Sequence, residues 1–385
     1  FELNVRPQKI AGNGLLNMRA ELRATWSRCQ EVARRMDCEV VSIGILPTVQ
    51  NVMLNPQNMS PLKRYAALNR QVLLMRGGTP LTLKIDGLDS LHTTHNDLML
   101  ESAATSIQVH LKVGQSESVR FYNSSLIASA LTTAMAANAP LLFGRRLWDD
   151  SRIPLFEQAV DTGGKFPRVS FGRGYVRHSL LELFERNLSD HRILLPAELD
   201  QGPARMPYVR MHNGTIWNWN RPLIGFEPDG TPHLRIEHRP MSASPSSADL
   251  FADVAFYLGL VHHLAGLQDP PENRLPFEVA KENFYAAAKA SLSASITWID
   301  GRQHCISELV RDRVLPVAME QLVHCEVSSE LIEQAEAVLR GRLDRHQNGA
   351  IWQRRKFDAY SGDAVRLLRE YIQRQNSQQP VCEWN

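Results

Sequence analysis

Cysteine is scarce and ungrouped in this 385-residue sequence: five residues (Cys29, Cys38, Cys305, Cys325, Cys382), none spaced as C-x-x-C. An odd, scattered set excludes a disulfide framework and a thiolate zinc site, and points to reduced thiols in a cytoplasmic protein. An excess of one charge sign is also lacking, because 43 Lys and Arg face 41 Asp and Glu for a formal net charge of +2. A dedicated nucleic-acid binder carries a marked basic excess, so nucleic acid is not an expected partner. No long apolar run occurs. The most apolar stretch, Ser124–Phe143, is interrupted by Thr132, Thr133, Asn138 and Pro140 and is rich in alanine. It reads as a buried helix, and no membrane partner is expected.

Several chemical signatures are missing as well. There is no G-x-x-x-x-G-K-[ST] loop, no G-x-G-x-x-G fingerprint and no G-x-S-x-G elbow, and nothing marks a nucleophilic serine or cysteine. His92 and His95 have no third ligand at a matching spacing, and His262-His263 lies in a helical pattern, so neither reads as a metal site. The sequence opens with Phe-Glu-Leu-Asn-Val-Arg rather than methionine, alternating as if from within a strand, so residues upstream of Phe1 are expected.

What is present is a mixture of both periodicities. Leu15–Met36 repeats apolar residues at helical spacing, and Ser246 with Asp249 resembles a capping box before a helix over Leu250–Leu264. Glu39–Leu46 reads as a buried strand ended by Pro47, and Leu81–Ile85 as a strand closed by Asp86-Gly87. Tyr208–Met211 and Thr215–Trp219 flank Asn213-Gly214 as a predicted hairpin. From Phe277 to Arg374 the pattern is helical, charged and free of strand signals. We therefore expect an α+β fold, with an α+β region over 1–268 and a helical C-terminal section over 269–385 packed on it.

Three stretches alternate with chemically pointed faces, because residues two apart in a strand share a side. Ser106–Val113 sets Ser106, Gln108, His110 and Lys112 against Ile107, Val109, Leu111 and Val113. Phe1–Arg6 sets Glu2, Asn4 and Arg6 against Phe1, Leu3 and Val5, and His233–Arg239 aligns Arg235, Glu237 and Arg239. A wetted sheet face is the plain reading of any one of these strands. The recurrence of Glu, His, Gln, Asn and Arg across all three sets a ligand-lined sheet beside it. Arg145, Arg146 and Arg152, followed by Arg168, Arg173 and Arg177 around Phe171-Gly172-Arg173-Gly174, suit a loop that binds phosphate or carboxylate. Taken one at a time, they read as surface arginines in ion pairs.

Read in order, Leu46-Pro47-Thr48, Lys63-Arg64-Tyr65, Ser106-Ile107-Gln108-Val109-His110, Asn138-Ala139-Pro140-Leu141-Leu142-Phe143-Gly144-Arg145 and Ile236-Glu237-His238-Arg239-Pro240 form a connected resemblance. The chain resembles the bacterial and plant-type glutamate–cysteine ligases of family 2, which are ATP-dependent carboxylate–amine ligases. The resemblance implies a curved antiparallel sheet lined by helices, similar to the catalytic part of glutamine synthetase. It also implies a reaction: ATP phosphorylates a carboxylate, classically that of glutamate, and an amine then attacks the acyl phosphate. By the same resemblance, Glu2, His110 and Glu237 would hold Mg²⁺, while Arg239, Arg146 and Arg152 would act on phosphates or the substrate carboxylate. Asn4, Gln108, Lys112, Arg145 and Arg235 would bind substrate or nucleotide.

Two departures from the family pattern stand out. The family usually opens on a Gly-x-Glu-x-Glu strand, and many members carry His-x-His where this sequence has Gln108-Val109-His110. Expected partners are an amino-acid carboxylate and an amine, with a homo-oligomer left open. The alternative is a non-catalytic relative that binds nucleotide or an amino acid and acts through protein contacts.

Overall fold

The computed structural model describes residues 1–385. Leu15, Leu16, Met18 and Leu22 turn one side of helix α1 (Gly14–Arg35) toward the core, and Arg34 and Arg35 close its last turn, where cations complement the helix dipole. Helix α2 (Lys63–Met75) precedes the hairpin β1 (Leu81–Asp86) and β2 (Ser90–His95), in which Leu81, Leu83 and Ile85 are buried as the alternation predicts. Strand β3 (Val109–Val113) leads into α3 (Ser118–Ala136), which is buried on nearly every side and accounts for the long apolar stretch. The short pair β4 (Leu141–Leu142) and β5 (Arg145–Arg146) and helices α4 (Arg152–Ala159), α5 (Leu181–Asp190) and α6 (Pro207–Gly214) follow.

Strands β6 (Asn220–Phe226) and β7 (Pro232–His238) join β3 in an antiparallel sheet of order β3–β7–β6. Helix α7 (Ser247–Gly266) begins as its cap predicts, with the Ser246 hydroxyl accepting from the Asp249 amide at 3.1 Å. Beyond it lie α8 (Phe277–Ala290), the hairpin β8 (Ser295–Thr297) and β9 (Gln303–Cys305), α9 (Ile306–Leu309), α10 (Leu315–His324) and α11 (Ser329–Asp344). Helices α12 (Gly349–Ala359) and α13 (Ala364–Asn376) complete the chain. No helix is long and apolar enough to cross a membrane.

Helices α3 and α7 lie under one face of the sheet and meet it through a buried polar network. The His238 ring stacks on Tyr257 at 3.9 Å, and its two nitrogens face Asn220 Oδ1 (2.8 Å) and Thr132 Oγ1 (2.9 Å). Burial pulls the His238 pKa down to about 3, so this imidazole is a neutral strut. One cluster of 60 buried residues runs from Leu15 to Leu343, so helices on both sides of residue 268 share it. Helix α7 packs so closely on α10 that a Cβ at Gly259 would lie 2.2 Å from the Ala318 carbonyl oxygen.

Five local expectations are corrected. Residues 207–214 form helix α6 rather than a hairpin arm: Pro207 suits a first helical turn, and Asn213-Gly214 ends the helix. Glu39–Leu46 has no ladder partner. Its Ile43 and Ile45 feed two different apolar clusters, and Gly44 crosses tightly at the Asn138 carbonyl (3.2 Å). Phe1–Arg6 likewise has no ladder partner, and the strand expected from Ser106 becomes continuous only at Val109, after a single bridge between Ser106 and Ser242. The helical section contains β8 and β9, turned at Asp300-Gly301, where Gly301 takes φ +74°.

Candidate functional site

The exposed face of the sheet carries a row of charge set by strand register. His110 on β3 and Arg221 on β6 both lie directly opposite Glu237 on β7, the central strand. Arg221 grips the Glu237 carboxylate with both prongs, Nε to Oε2 at 2.6 Å and Nη2 to Oε1 at 3.2 Å. Arg239 Nη1 reaches Oε2 at 3.3 Å, and His110 Nε2 lies 3.3 Å from Oε1. With its amide oriented to satisfy both neighbours, Gln108 donates to Glu237 (2.9 Å) and accepts from Arg239 (3.3 Å).

Glu237 is only 2 % exposed. Burial alone would raise its pKa, but the His110 hydrogen bond and the Arg239 and Arg221 charges outweigh burial and hold it well below the usual carboxylate range. In the next row, Lys112 faces Arg235 across the ladder and pairs with Glu227 at 2.5 Å. Arg235 has no ion-pair partner in the protein, and its Nε is buried without a hydrogen bond.

These rows border a cleft of about 2330 Å³ lined by Gln108, His110, Lys112, Arg235 and Glu101, together with residues of α1, α7 and the opening segment. Burial raises the Glu101 carboxyl and Arg239 draws it down, so this acid belongs to the same electrostatic group. Glu101 was not among the residues expected from sequence. Arg221 was also missed, because only strand register brings it onto Glu237.

The other expected residues are placed differently. Glu2 and Asn4 line the cleft but bond to nothing, and no group of three or more His, Cys, Asp or Glu side chains is poised to hold a metal ion. The implied magnesium triad of Glu2, His110 and Glu237 therefore does not fit. Both Glu237 oxygens are taken by cations, and two guanidiniums beside the carboxylate would repel a divalent ion.

Arg146 is committed to Asp89 (3.1 Å) and Asp358 (3.2 Å), and Arg145 beside it is exposed, away from the cleft lining. Arg152 is buried against Asp150, Ser242 and the Pro240 carbonyl (2.7 Å), where it braces the chain leaving β7. Arg168 bonds the Thr215 and Arg192 carbonyls, and Arg173 pairs with Asp190. Neighbours in sequence here are not neighbours at a site.

A second unexpected acid lies behind the sheet. Glu157 on α4 accepts from Trp219 Nε1 (2.9 Å) and the Tyr285 hydroxyl (2.7 Å), and burial pushes its pKa up to about 7. A raised carboxyl pKa contributes stability fully below its unfolded value, and that contribution is lost as pH rises through the folded one. Glu157→Gln should therefore gain stability over the natural protein by roughly 3 kcal/mol above pH 7 and little at pH 5, read from thermal melts across that range.

An antiparallel sheet backed by helices on one face, with a charged row beside a cleft on the other, defines an α+β protein with a candidate site rich in guanidinium groups. The chain matches glutamate–cysteine ligase family 2 (GCS2) over residues 1–376 and belongs to that family. At family level this is a family of ATP-dependent carboxylate–amine ligases. No curated protein matches the chain. Among solved structures it is similar to the Pup ligase PafA of the prokaryotic ubiquitin-like modification pathway in complex with ADP, at 10% identity and a TM-score of 0.39. That match covers 95% of this chain and 64% of the other, so this chain spans less than two thirds of its length.

Proposed function

We propose that the chain is an ATP-dependent ligase that joins the carboxylate of glutamate or a similar acid to an amine. The supporting observation is the Arg221–Glu237–His110 row with Arg239 and Gln108, which meets through His110 and Gln108 a cleft large enough for a nucleotide and a second substrate. A substrate carboxylate oxygen attacks the γ-phosphorus of ATP, ADP departs, and an acyl phosphate forms. The amine nitrogen then attacks the acyl carbon, inorganic phosphate leaves, and the nitrogen loses a proton to give the amide.

The protein's part in such chemistry is positioning and charge neutralisation. Arg235, which has no ion-pair partner, and Arg239, held flat by Glu237 and Gln108, would receive phosphate or carboxylate oxygens. Lys112 adds charge at the rim. Magnesium would enter as the nucleotide's own counterion, coordinated largely by phosphate oxygens and water. Incubation with Mg²⁺–ATP, glutamate and a panel of amines should release ADP only when acid and amine are both present.

The second reading is a relative that binds nucleotide or an amino acid without turnover. It is favoured by the absence of a three-ligand metal site. Calorimetric binding of nucleotide without ADP release across the whole panel would establish that reading and overturn the first.

A further inference from the structure

A hollow of about 500 Å³ opens between the outer side of α13 and Tyr360, the residue that caps α12. Arg366, Arg369, Gln373, Arg374 and Ser377 line it with Tyr360, so its size is that of a small-ligand site but its walls are polar. Arg366 lies over the Tyr360 ring at 4.0 Å, and stacking of this kind fixes the direction of its guanidinium. Neither Arg366 nor Arg369 forms an ion pair or a side-chain hydrogen bond within the protein.

A lone exposed arginine reads as solvated, but this arrangement is more specific. Arg366 sits in the first turn of α13, where the helix dipole disfavours a cation, so helix stability does not account for it. Glu370 is the only acid lining the hollow. Lys356 (3.0 Å), Arg374 (3.5 Å) and the Tyr360 hydroxyl already occupy its carboxylate. The guanidinium forks of Arg366 and Arg369 therefore have no counterion inside the protein.

We propose that this hollow is a second anion site, for a small ligand carrying clustered phosphates. Arg366 and Arg369 stand one turn apart on the same side of α13, so neighbouring phosphoryl groups can be shared between them. The Gln373 amide, which bonds to nothing in the protein, adds neutral donors. Tyr360 already carries Arg366 and has Lys356 at 5.8 Å, so recognition rests on charge rather than on stacking a base. No residue of the sheet row lines the hollow, yet hollow and cleft share a helix end. Arg374, Ser377 and Gln379 face the hollow, while Gln375, Asn376 and Gln378 line the large cleft. Gln375 is pinned to the Ser42 and Pro245 carbonyls (2.8 and 2.6 Å), so a ligand in the hollow bears on one wall of the cleft from behind. The inference does not depend on the ligase reading, since it concerns binding at a different surface.

Inorganic tripolyphosphate is the probe, added to the full chain at about 0.15 M salt, where screening suppresses diffuse attraction. It should slow phenylglyoxal modification of Arg366 and Arg369 at least fivefold, read by peptide mass spectrometry, which locates the anion without any variant. Arg369→Gln, with the fold checked by circular dichroism, should raise the concentration that protects Arg366 at least fivefold. Arg235→Gln, in the cleft, should leave that concentration unchanged. ATP should protect no better than tripolyphosphate, and hexaglutamate at least tenfold less well. Unchanged modification rates would overturn the proposal, as would an equal slowing at the exposed Arg145. Equal protection by hexaglutamate would overturn it in favour of an acidic peptide, and a tenfold advantage for ATP in favour of a nucleoside.

Discussion

Arg342→Met is expected to destabilise the protein by about 3–5 kcal/mol, read from the midpoint and slope of denaturant unfolding. Arg342 is 1% exposed and lies on α11, yet its guanidinium reaches two carboxylates of α7, Asp249 (2.8 Å) and Asp253, and the Met135 carbonyl of α3 (3.0 Å). Each carboxylate has further duties. Asp249 accepts from the Val381 amide at 3.0 Å, and Asp253 from the Ser244 hydroxyl at 2.7 Å. Removing the arginine leaves two buried anions facing each other, and their desolvation is then uncompensated.

The pH dependence follows in sign. Burial already raises the Asp253 pKa in the natural protein, with Arg342 opposing it. Without Arg342 the rise grows, so the variant's stability falls as pH climbs through the raised value. The deficit at pH 5 should therefore be smaller than at pH 7. Arg342→Lys keeps one charge but not the fork that spans both acids, so it should recover only part of the loss. If the triad were dispensable, Arg342→Met would unfold at the same denaturant concentration as the natural protein at both pH values.

The contrast between this triad and the sheet row shows what sequence can carry. Helices α1, α3 and α7 were legible because their signals are local: apolar spacing, an apolar run, and the Ser246 cap. The polar faces of Ser106–Val113 and His233–Arg239 were legible for the same reason, since alternation is a property of one strand. What pairs with what was not. Arg221 meets Glu237 only because β6 and β7 are in that register, and Arg342 meets Asp249 and Asp253 across about 90 residues of chain.

Local signals also misled where tertiary context chose between two valid outcomes. Asn213-Gly214 can turn a hairpin or stop a helix, and Pro207 decided for the helix. The run from Arg145 to Arg177 suggested one anion-binding loop, but Arg146, Arg152, Arg168 and Arg173 each found a different structural partner. Glu157 carried no signal, because a single acid in a helix reads as solvated until Trp219 and Tyr285 close over it.

Glu237→Gln should separate binding from turnover. The natural carboxylate balances Arg221 and Arg239 and fixes the plane of the Arg239 guanidinium. A neutral amide leaves two buried cations uncompensated, at a cost of about 3–5 kcal/mol in stability at pH 7. Because the folded pKa is depressed, the stability from Glu237 is present above the unfolded carboxylate value and is lost as pH falls toward the folded one. The gap between the two proteins should therefore narrow below about pH 4.5.

At the site, the extra net positive charge favours anions, so nucleotide affinity should hold or tighten. Ligase turnover should drop by about a hundredfold, because Arg239 no longer has a fixed direction. That pattern also discriminates between two roles for the residue. A metal ligand lost by substitution is rescued by excess Mg²⁺, whereas an arginine clamp is not. Calorimetric nucleotide affinity and ADP release, each measured across a Mg²⁺ titration, should show intact binding with a turnover defect that extra Mg²⁺ does not repair. Recovery of turnover at high Mg²⁺ would instead make Glu237 a metal ligand, and would require Arg221 and Arg239 to release it when the nucleotide binds.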